Sequence, residues 1–286
     1  MVKHKPRLLL CTDLDRTLIP NGTAQEDARA REMFSKLCRH PGVSLVYVTG
    51  RDRQLVLDAV KTYDLPQPDY ALTDVGSTIY RIVAGEWQHL QAWNHHLCNC
   101  WPKATNQRIR SLVDRISGPC LQEETKQNTF KVSFYVPLQL DINQVMGNIN
   151  NLLQREGISA NLIWSIDEQK GVGLLDILPD CADKRQAIRF LQQQLGFSDE
   201  ELLFAGDSGN DLQVINSDIP SILVANAATP IKEAALSWAQ QNNQSETLYL
   251  ARGGLLAMNG NYSAGILEGV CHFRPSFRSY LMKETA

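Results

Sequence analysis

Apolar and polar positions along the chain fall into blocks that switch between a strand rhythm and a helix rhythm. "PRLLLCTD" (6–13) predicts a strand and "AQEDARAREMFSKLCRH" (24–40) a helix, stopped by Pro41-Gly42. "VSLVYVTG" (43–50) is a buried strand rich in β-branched residues. "DRQLVLDAVKTYDL" (52–65) is a second helix, closed before Pro66 and Pro68. "DYALTDVGSTIYRI" (69–82) predicts a strand and then a hairpin. The same cadence returns late in the chain: helix 184–196, strand 201–207, helix 211–217, strand 221–226, helix 230–240, strand 247–252 and helix 263–273. Strands alternating with helices predict a doubly wound α/β fold, a parallel sheet covered on both faces.

Between residues 84 and 178 the cadence breaks. A Trp- and His-rich patch, "EWQHLQAWNHHLCNCW" (86–101), precedes a helix (106–116), a strand (130–137), a helix (142–157) and two strands (160–166, 172–179). That order predicts a small α+β unit, 84–178, inserted into a core made of 1–83 and 179–286.

Bulk properties narrow the function. A net charge of −3 exerts no global pull on nucleic acid or an anionic membrane, so neither is expected as a partner. The basic start "MVKHKPR" leads into only "LLLC", which predicts a first strand rather than a signal peptide, and no stretch is long enough to span a bilayer. The seven cysteines are odd in number, which predicts reduced thiols in a cytoplasmic protein. "HHLCNC" (95–100) matches no usual zinc spacing, so no zinc site is expected there. His95 and His96 read as surface or packing residues, and Trp87, Trp93 and Trp101 as core.

Candidate chemistry sits where predicted strands end. Asp13 and Asp15, in "CTDLDRT", share a strand face, and two like charges side by side need a reason. Thr17 follows. Thr49, Gly50 and Arg51 ("VTGR") close the second strand, Lys184 ("DKRQA") opens a helix, and Asp207, Asn210 and Asp211 ("GDSGND") close a later strand. In open α/β sheets that edge is where ligands bind. Carboxylates with a lysine fit Mg²⁺ and a phosphate ester, because both cations offset the dianion's repulsion of a carboxylate nucleophile. Asp13 is the expected nucleophile and Asp15 the proton shuttle, with Thr49 and Lys184 on the phosphoryl oxygens. Asp13, the Asp15 carbonyl, Asp207 and Asp211 are the expected metal ligands.

"DLDRT", "VTGR", "DK" and "GDSGND" together resemble, in order, the four motifs of the haloacid dehalogenase-like phosphatases, and the insert resembles their C2-type cap. Arg16 departs from the Gly or Asn common at its position. Asp15, two after the nucleophile, is shared with the phosphatases and mutases of that superfamily and disfavours its ATPases and dehalogenases. "PDYALTDVGSTIY", "FKVSFYV", "GLLDILPDCADKRQA" and "YSAGILEGVCHF" resemble the sucrose-phosphate phosphatase group within it. That resemblance implies a sugar-phosphate substrate, with Gly76 and Ser77 bordering the leaving group. It also implies Asn128, Lys131 and Asp176 as cap residues toward the sugar. The alternatives are a phosphatase of mannosylfructose phosphate, glucosylglycerol phosphate or a glycerate glycoside, a sugar phosphomutase, and a docking partner of a sugar-phosphate synthase.

Overall fold

A computed structural model describes residues 7–102, 105–167 and 170–282; the basic start, residues 1–6, lies outside them. In chain order the elements begin with β1 (Leu8–Thr12), α1 (Ala30–Cys38), β2 (Val43–Val48), α2 (Arg53–Thr62), β3 (Tyr70–Thr73), β4 (Thr78–Val83), β5 (Glu86–His89) and α3 (Gln91–Cys100). Next come α4 (Thr105–Val113), β6 (Cys120–Leu121), β7 (Val132–Val136), α5 (Ile142–Arg155), β8 (Ala160–Asp167) and β9 (Val172–Pro179). The chain continues through α6 (Lys184–Leu195), β10 (Leu202–Gly206), α7 (Leu212–Ile215), β11 (Ser221–Leu223), α8 (Thr229–Gln241), β12 (Leu248–Leu250), α9 (Ser263–Phe273) and α10 (Pro275–Met282).

Eight strands form one sheet in the order β12-β11-β10-β1-β2-β3-β4-β5, and four form a second in the order β6-β7-β9-β8. In the large sheet β12 through β3 pair in parallel, while β4 and β5 fold back antiparallel. The small sheet is antiparallel throughout. The α/β class and the parallel core therefore follow the sequence reading. The large sheet's hydrogen bonding continues past residue 83, through β5.

Strand periodicity explains the two-sided core. Along β1, Leu8 and Leu10 enter one apolar cluster with residues of α1, α2, α9 and α10, including Phe34, Val56, Ile266 and Phe277. Leu9 and Cys11 enter the other, with Ile188 and Leu191 of α6 and Val214 of α7. Successive side chains point to opposite faces, so an apolar run such as "LLLC" is what a strand covered on both sides requires. The second cluster runs on without a break into the insert, through Val132, Phe134, Ile149 and Leu175.

Two expectations change, and one segment gains an element. The helix predicted over 24–40 begins only at Ala30, because tertiary bonds capture the preceding carbonyls. Tyr262 Oη donates to Ala24 O, and Asn259 and Asn261 both donate to Gln25 O. The Trp- and His-rich patch contains a regular helix, α3, whose Trp93 and Leu97 are fully buried. Finally, the thiols are not all reduced: Cys100 and Cys181 form a disulfide, while Cys11, Cys38, Cys98, Cys120 and Cys271 are free. The two partners are 81 residues apart. Only the fold, which returns the chain from the insert beside the end of α3, brings them together.

Candidate active site

The site is built on a positional regularity: Asp13, Thr49, Asp74 and Asp207 are each the first residue after a strand, β1, β2, β3 and β10 in turn. These strands are neighbours, and β1 lies between β2 and β10, where the winding direction reverses. The polar residues therefore collect in the crevice at the carboxyl edge of the sheet.

Lys184, at the start of α6 behind the N-cap Asp183, is completely buried. Its Nζ lies 2.9 Å from Asp13 Oδ1, 2.7 Å from Asp211 Oδ1 and 3.1 Å from Asn210 Oδ1. Burial opposes its charge, but Asp13 and Asp211 outweigh that and hold the ammonium above its ordinary range. Asp13, Asp207 and Asp211 are all buried, and their oxygens come within 4.8 Å of one another.

Those three carboxylates exceed the positive charge that Lys184 supplies. Burial, reinforced by Asp211, pushes the Asp207 carboxyl up to about 7. Burial likewise drives Asp13 well upward despite Lys184, with Asp211, Asp207 and Asp15 adding to the rise. Buried carboxylates crowded enough to favour protonation fit a hard divalent cation with oxygen ligands. Asp211 is also engaged on its other side, where Oδ2 accepts from the N–H groups of Asp207 and Ser208 and from Ser208 Oγ. Gly206 is required beside it, since a Cβ there would lie 2.7 Å from the Asp211 carboxylate.

Asp15 points toward the β2 end. Arg51 grips it twice, Nε to Oδ2 at 2.8 Å and Nη2 to Oδ1 at 2.6 Å, and Asn21 Nδ2 donates to Oδ1 at 2.7 Å. Burial would raise this carboxyl, but Arg51 prevails and holds it below its ordinary range. Thr17 Oγ1 donates to Asp207 Oδ1 at 3.0 Å. Thr49 is buried, and its Oγ1 accepts from Arg51 N. Gly50 sits between them.

Arg16 adopts φ +58°, in the left-handed region. Gly and Asn enter that region at lower cost than a residue with an ordinary Cβ. Arg16 is not a bystander to the carboxylates: its Nε lies 3.4 Å from Asp207 Oδ2.

The insert reaches this edge through residues 126–131. Lys126 Nζ meets Asp52 Oδ2 at 3.0 Å. Asn128 Nδ2 donates to Ser77 Oγ at 3.0 Å. Buried Lys131 pairs with buried Asp74 at 2.8 Å. Burial would lower the Lys131 ammonium, yet Asp176 and Asp74 hold it above its usual range. Asp176 also accepts a hydrogen bond from Ser133 Oγ across the β7–β9 pair. The loop they meet is tightly shaped. Gly76, at φ +94°, lies so close to α6 that a Cβ would come within 2.5 Å of Asp183 O.

The sequence-predicted residues are placed as follows: Asp13, Asp15, Thr17, Thr49, Gly50, Arg51, Lys184, Asp207, Asn210 and Asp211 at the sheet edge, Gly76 and Ser77 in the turn after β3, and Asn128, Lys131 and Asp176 in the insert, where Asn128 meets Ser77 and Lys131 meets Asp74. Asp52, Asp74, Lys126 and Arg16 were missed as site residues. Asp74 was legible by the same strand-end rule that picks out Asp13. The tryptophans fill the core: Trp93 is fully buried, and its Nε1 donates to Gly76 O at 3.1 Å.

Residues 6–274 match the profile of the sucrose-6F-phosphate phosphohydrolases. The chain belongs to that family. It is 44% identical over 277 residues to a putative haloacid dehalogenase-like hydrolase of Nitrosococcus oceani, covering 97% of this chain and 74% of that one. It is 29% identical over 272 residues to a mannosylfructose-phosphate phosphatase of Agrobacterium fabrum, covering 94% and 98%. The structure resembles the sucrose-phosphatase of Synechocystis, solved with sucrose and phosphate, with a TM-score of 0.74, 28% identity and coverage of 94% and 98%. Family and fold together make the chain a haloacid dehalogenase-like phosphatase acting on a sugar phosphate, a phosphoric monoester hydrolase. Among the described residues no helix is long and apolar enough to cross a membrane.

Proposed function

We propose that the enzyme hydrolyses sucrose 6-phosphate to sucrose and phosphate, using Mg²⁺. The reaction rests on one observation: Asp13 lies in contact with a buried lysine, beside two further buried carboxylates, at the switch point of the sheet. Asp13 attacks phosphorus and forms an aspartyl-phosphate, which divides the hydrolysis into two easier steps. Lys184 and Thr49 hold phosphoryl oxygens where charge gathers. Asp15 gives its proton to the departing sugar oxygen and then takes one from the attacking water. Arg51 keeps Asp15 ionised in this structure, which is the base form; for the acid step Asp15 leaves Arg51 and carries the proton it took from the attacking water of the preceding turnover, or one taken from solvent, to the leaving oxygen. Asp13, the Asp15 carbonyl, Asp207 and Asp211 would hold Mg²⁺, which would supply charge neutralisation at the phosphate.

The sugar assignment rests on the polar seam between the sheet edge and the insert, which acts as a cap. Asn128, Ser77, Lys131, Asp74 and Asp176 offer directed donors and acceptors rather than an apolar wall. Such a site rejects a sugar lacking a partner hydroxyl, because buried polar groups are then left unpaired. A second reading is a mannosylfructose phosphate, favoured by the 29% identity that spans nearly all of that relative.

A panel of sugar phosphates with Mg²⁺, read as phosphate release and blanked with Asp13→Asn, tests both readings. Preference for sucrose 6-phosphate, abolished by chelator and by the variant, is the expected result. Preference for mannosylfructose phosphate replaces the sugar and keeps the chemistry. No release from any ester by the folded, metal-supplied protein overturns the hydrolase.

A further inference from the structure

The Cys100–Cys181 pair sits at the neck of the insert. Cys100 ends α3, and Cys181 lies between β9 and α6. The elements from α4 to β9, which include the whole four-stranded sheet, lie between these two residues in sequence, so the bond ties together the outgoing and returning crossings.

Both crossings are anchored to the site. Trp93 of α3 packs on Phe190 of α6 at a centroid distance of 4.9 Å and donates to Gly76 O. Gly76 in turn abuts Asp183, two residues after Cys181 and one before Lys184. The disulfide thus closes a ring that runs through α3, the Gly76 turn and the start of α6.

We propose that this pair is a reversible thiol–disulfide site that governs movement of the insert over the crevice. Three observations carry it. Both sulfurs belong to partly exposed residues, so an exchanging thiol reaches them. His96, one helical turn before Cys100, places a ring nitrogen within 4.8 Å of both sulfurs, so a polar group borders the pair. The chain also keeps exposed free thiols at Cys98 and Cys120, so its surface thiols are not all consumed in disulfides.

The oxidant is a low-molecular-weight disulfide. One neck thiolate attacks it, expels one small thiolate and forms a mixed disulfide. The other neck thiolate attacks that bond, forms Cys100–Cys181 and expels the second small thiolate. Two electrons pass to the small disulfide, which departs as two thiols carrying the two protons.

Opening a cap needs backbone rotation at its crossings, and product release often waits on such motion. Tying the crossings together should slow it. The full chain is prepared with glutathione disulfide and with dithiothreitol, and its cysteines are mapped by peptide mass spectrometry. Turnover is then measured on a generic aryl phosphate and on the best sugar phosphate. The expected result is a Cys100–Cys181 peptide only in the oxidised form, together with a several-fold lower kcat and slower proteolysis of the neck. Cys100→Ser and Cys181→Ser should match the reduced enzyme and ignore the oxidant. Cys98→Ser should behave as the parent.

Three results would overturn the proposal: no such linkage in folded protein, an oxidised form with equal or greater kcat, or reduced protein that retains stoichiometric zinc through dialysis and loses it in Cys181→Ser. The last would make His96, Cys100 and Cys181 a metal site. Mapping and proteolysis do not depend on which sugar is the substrate, so they fail separately from that assignment.

Discussion

Arg51 holds Asp15 through two parallel hydrogen bonds, at 2.8 and 2.6 Å, from a position 36 residues along the chain. A guanidinium fork fits a carboxylate in this way and a lysine does not. Arg51→Lys should therefore keep the charge and lose the orientation. We expect kcat to fall roughly tenfold for Arg51→Lys and about a hundredfold for Arg51→Ala, with a smaller change in KM, as befits a group that positions the proton shuttle. Steady-state kinetics check this; an unchanged kcat in Arg51→Ala would remove Arg51 from the mechanism.

Lys131 and Asp74 are both buried and meet across the seam between insert and sheet. Removing one partner leaves a buried charge without compensation, typically about 3 kcal/mol. Lys131→Met should destabilise the protein by about that much in urea unfolding and raise KM for the sugar phosphate. The double variant Lys131→Met/Asp74→Leu should recover much of the stability and none of the KM. Recovery of both would make the pair purely structural.

Asp52 caps α2 through Leu55 N and meets Lys126 of the insert. Burial would raise its carboxyl, but the Leu55 N–H bond and Lys126 outweigh it and hold it below the usual range. A depressed pKa adds stability that is present above the unfolded value, near about 3.9, and is lost as pH falls through the lower folded value. Asp52→Asn keeps a good N-cap and removes the charge. The variant should be less stable by about 0.5–1 kcal/mol at pH 5 to 8, and the gap should close only in acid below about pH 4. Thermal unfolding of both proteins across pH measures it; a gap that closes near neutrality would contradict the assignment.

Asp207 is bonded by Thr17, lies near Arg16 and is pushed up to about 7 by burial and Asp211. A carboxylate that resists ionisation without a cation should become indispensable once one binds. Asp207→Asn should lower kcat by roughly 10²–10³ and raise the Mg²⁺ needed for half-maximal rate. Chelator should abolish phosphate release in the parent, with Mg²⁺ restoring it. Full activity in chelator would exclude the metal role.

The catalytic edge was legible because its signals are local. Asp13, Thr49 and Asp207 each follow an apolar run of strand length, and Lys184 follows a helix N-cap, so short windows of sequence suffice to place them. Asp74 obeys the same rule and was passed over because "TDVGS" also reads as a turn. Arg16 looked anomalous in sequence, and the backbone explains why: its φ of +58° is a conformation that suits Gly or Asn. The 24–40 helix was overcalled because its propensity is local, whereas the bonds that hold Ala24 and Gln25 out of it come from Asn259, Asn261 and Tyr262, far along the chain.

By itself the sequence determined the alternation of strand and helix, the strand ends that carry Asp13, Thr49 and Asp207, and the family to which they point, because period and motif are properties of neighbouring residues. Only the tertiary structure decided which distant side chains meet: Arg51 with Asp15 on the sheet edge, Lys131 with Asp74 and Lys126 with Asp52 across the seam, and Cys100 with Cys181 at the neck. Those partners lie 36 to 81 residues apart. Nothing in a local window selects among the many charges and thiols of a 286-residue chain; the pairing of β1 with β2 and the packing of the insert on the sheet edge do.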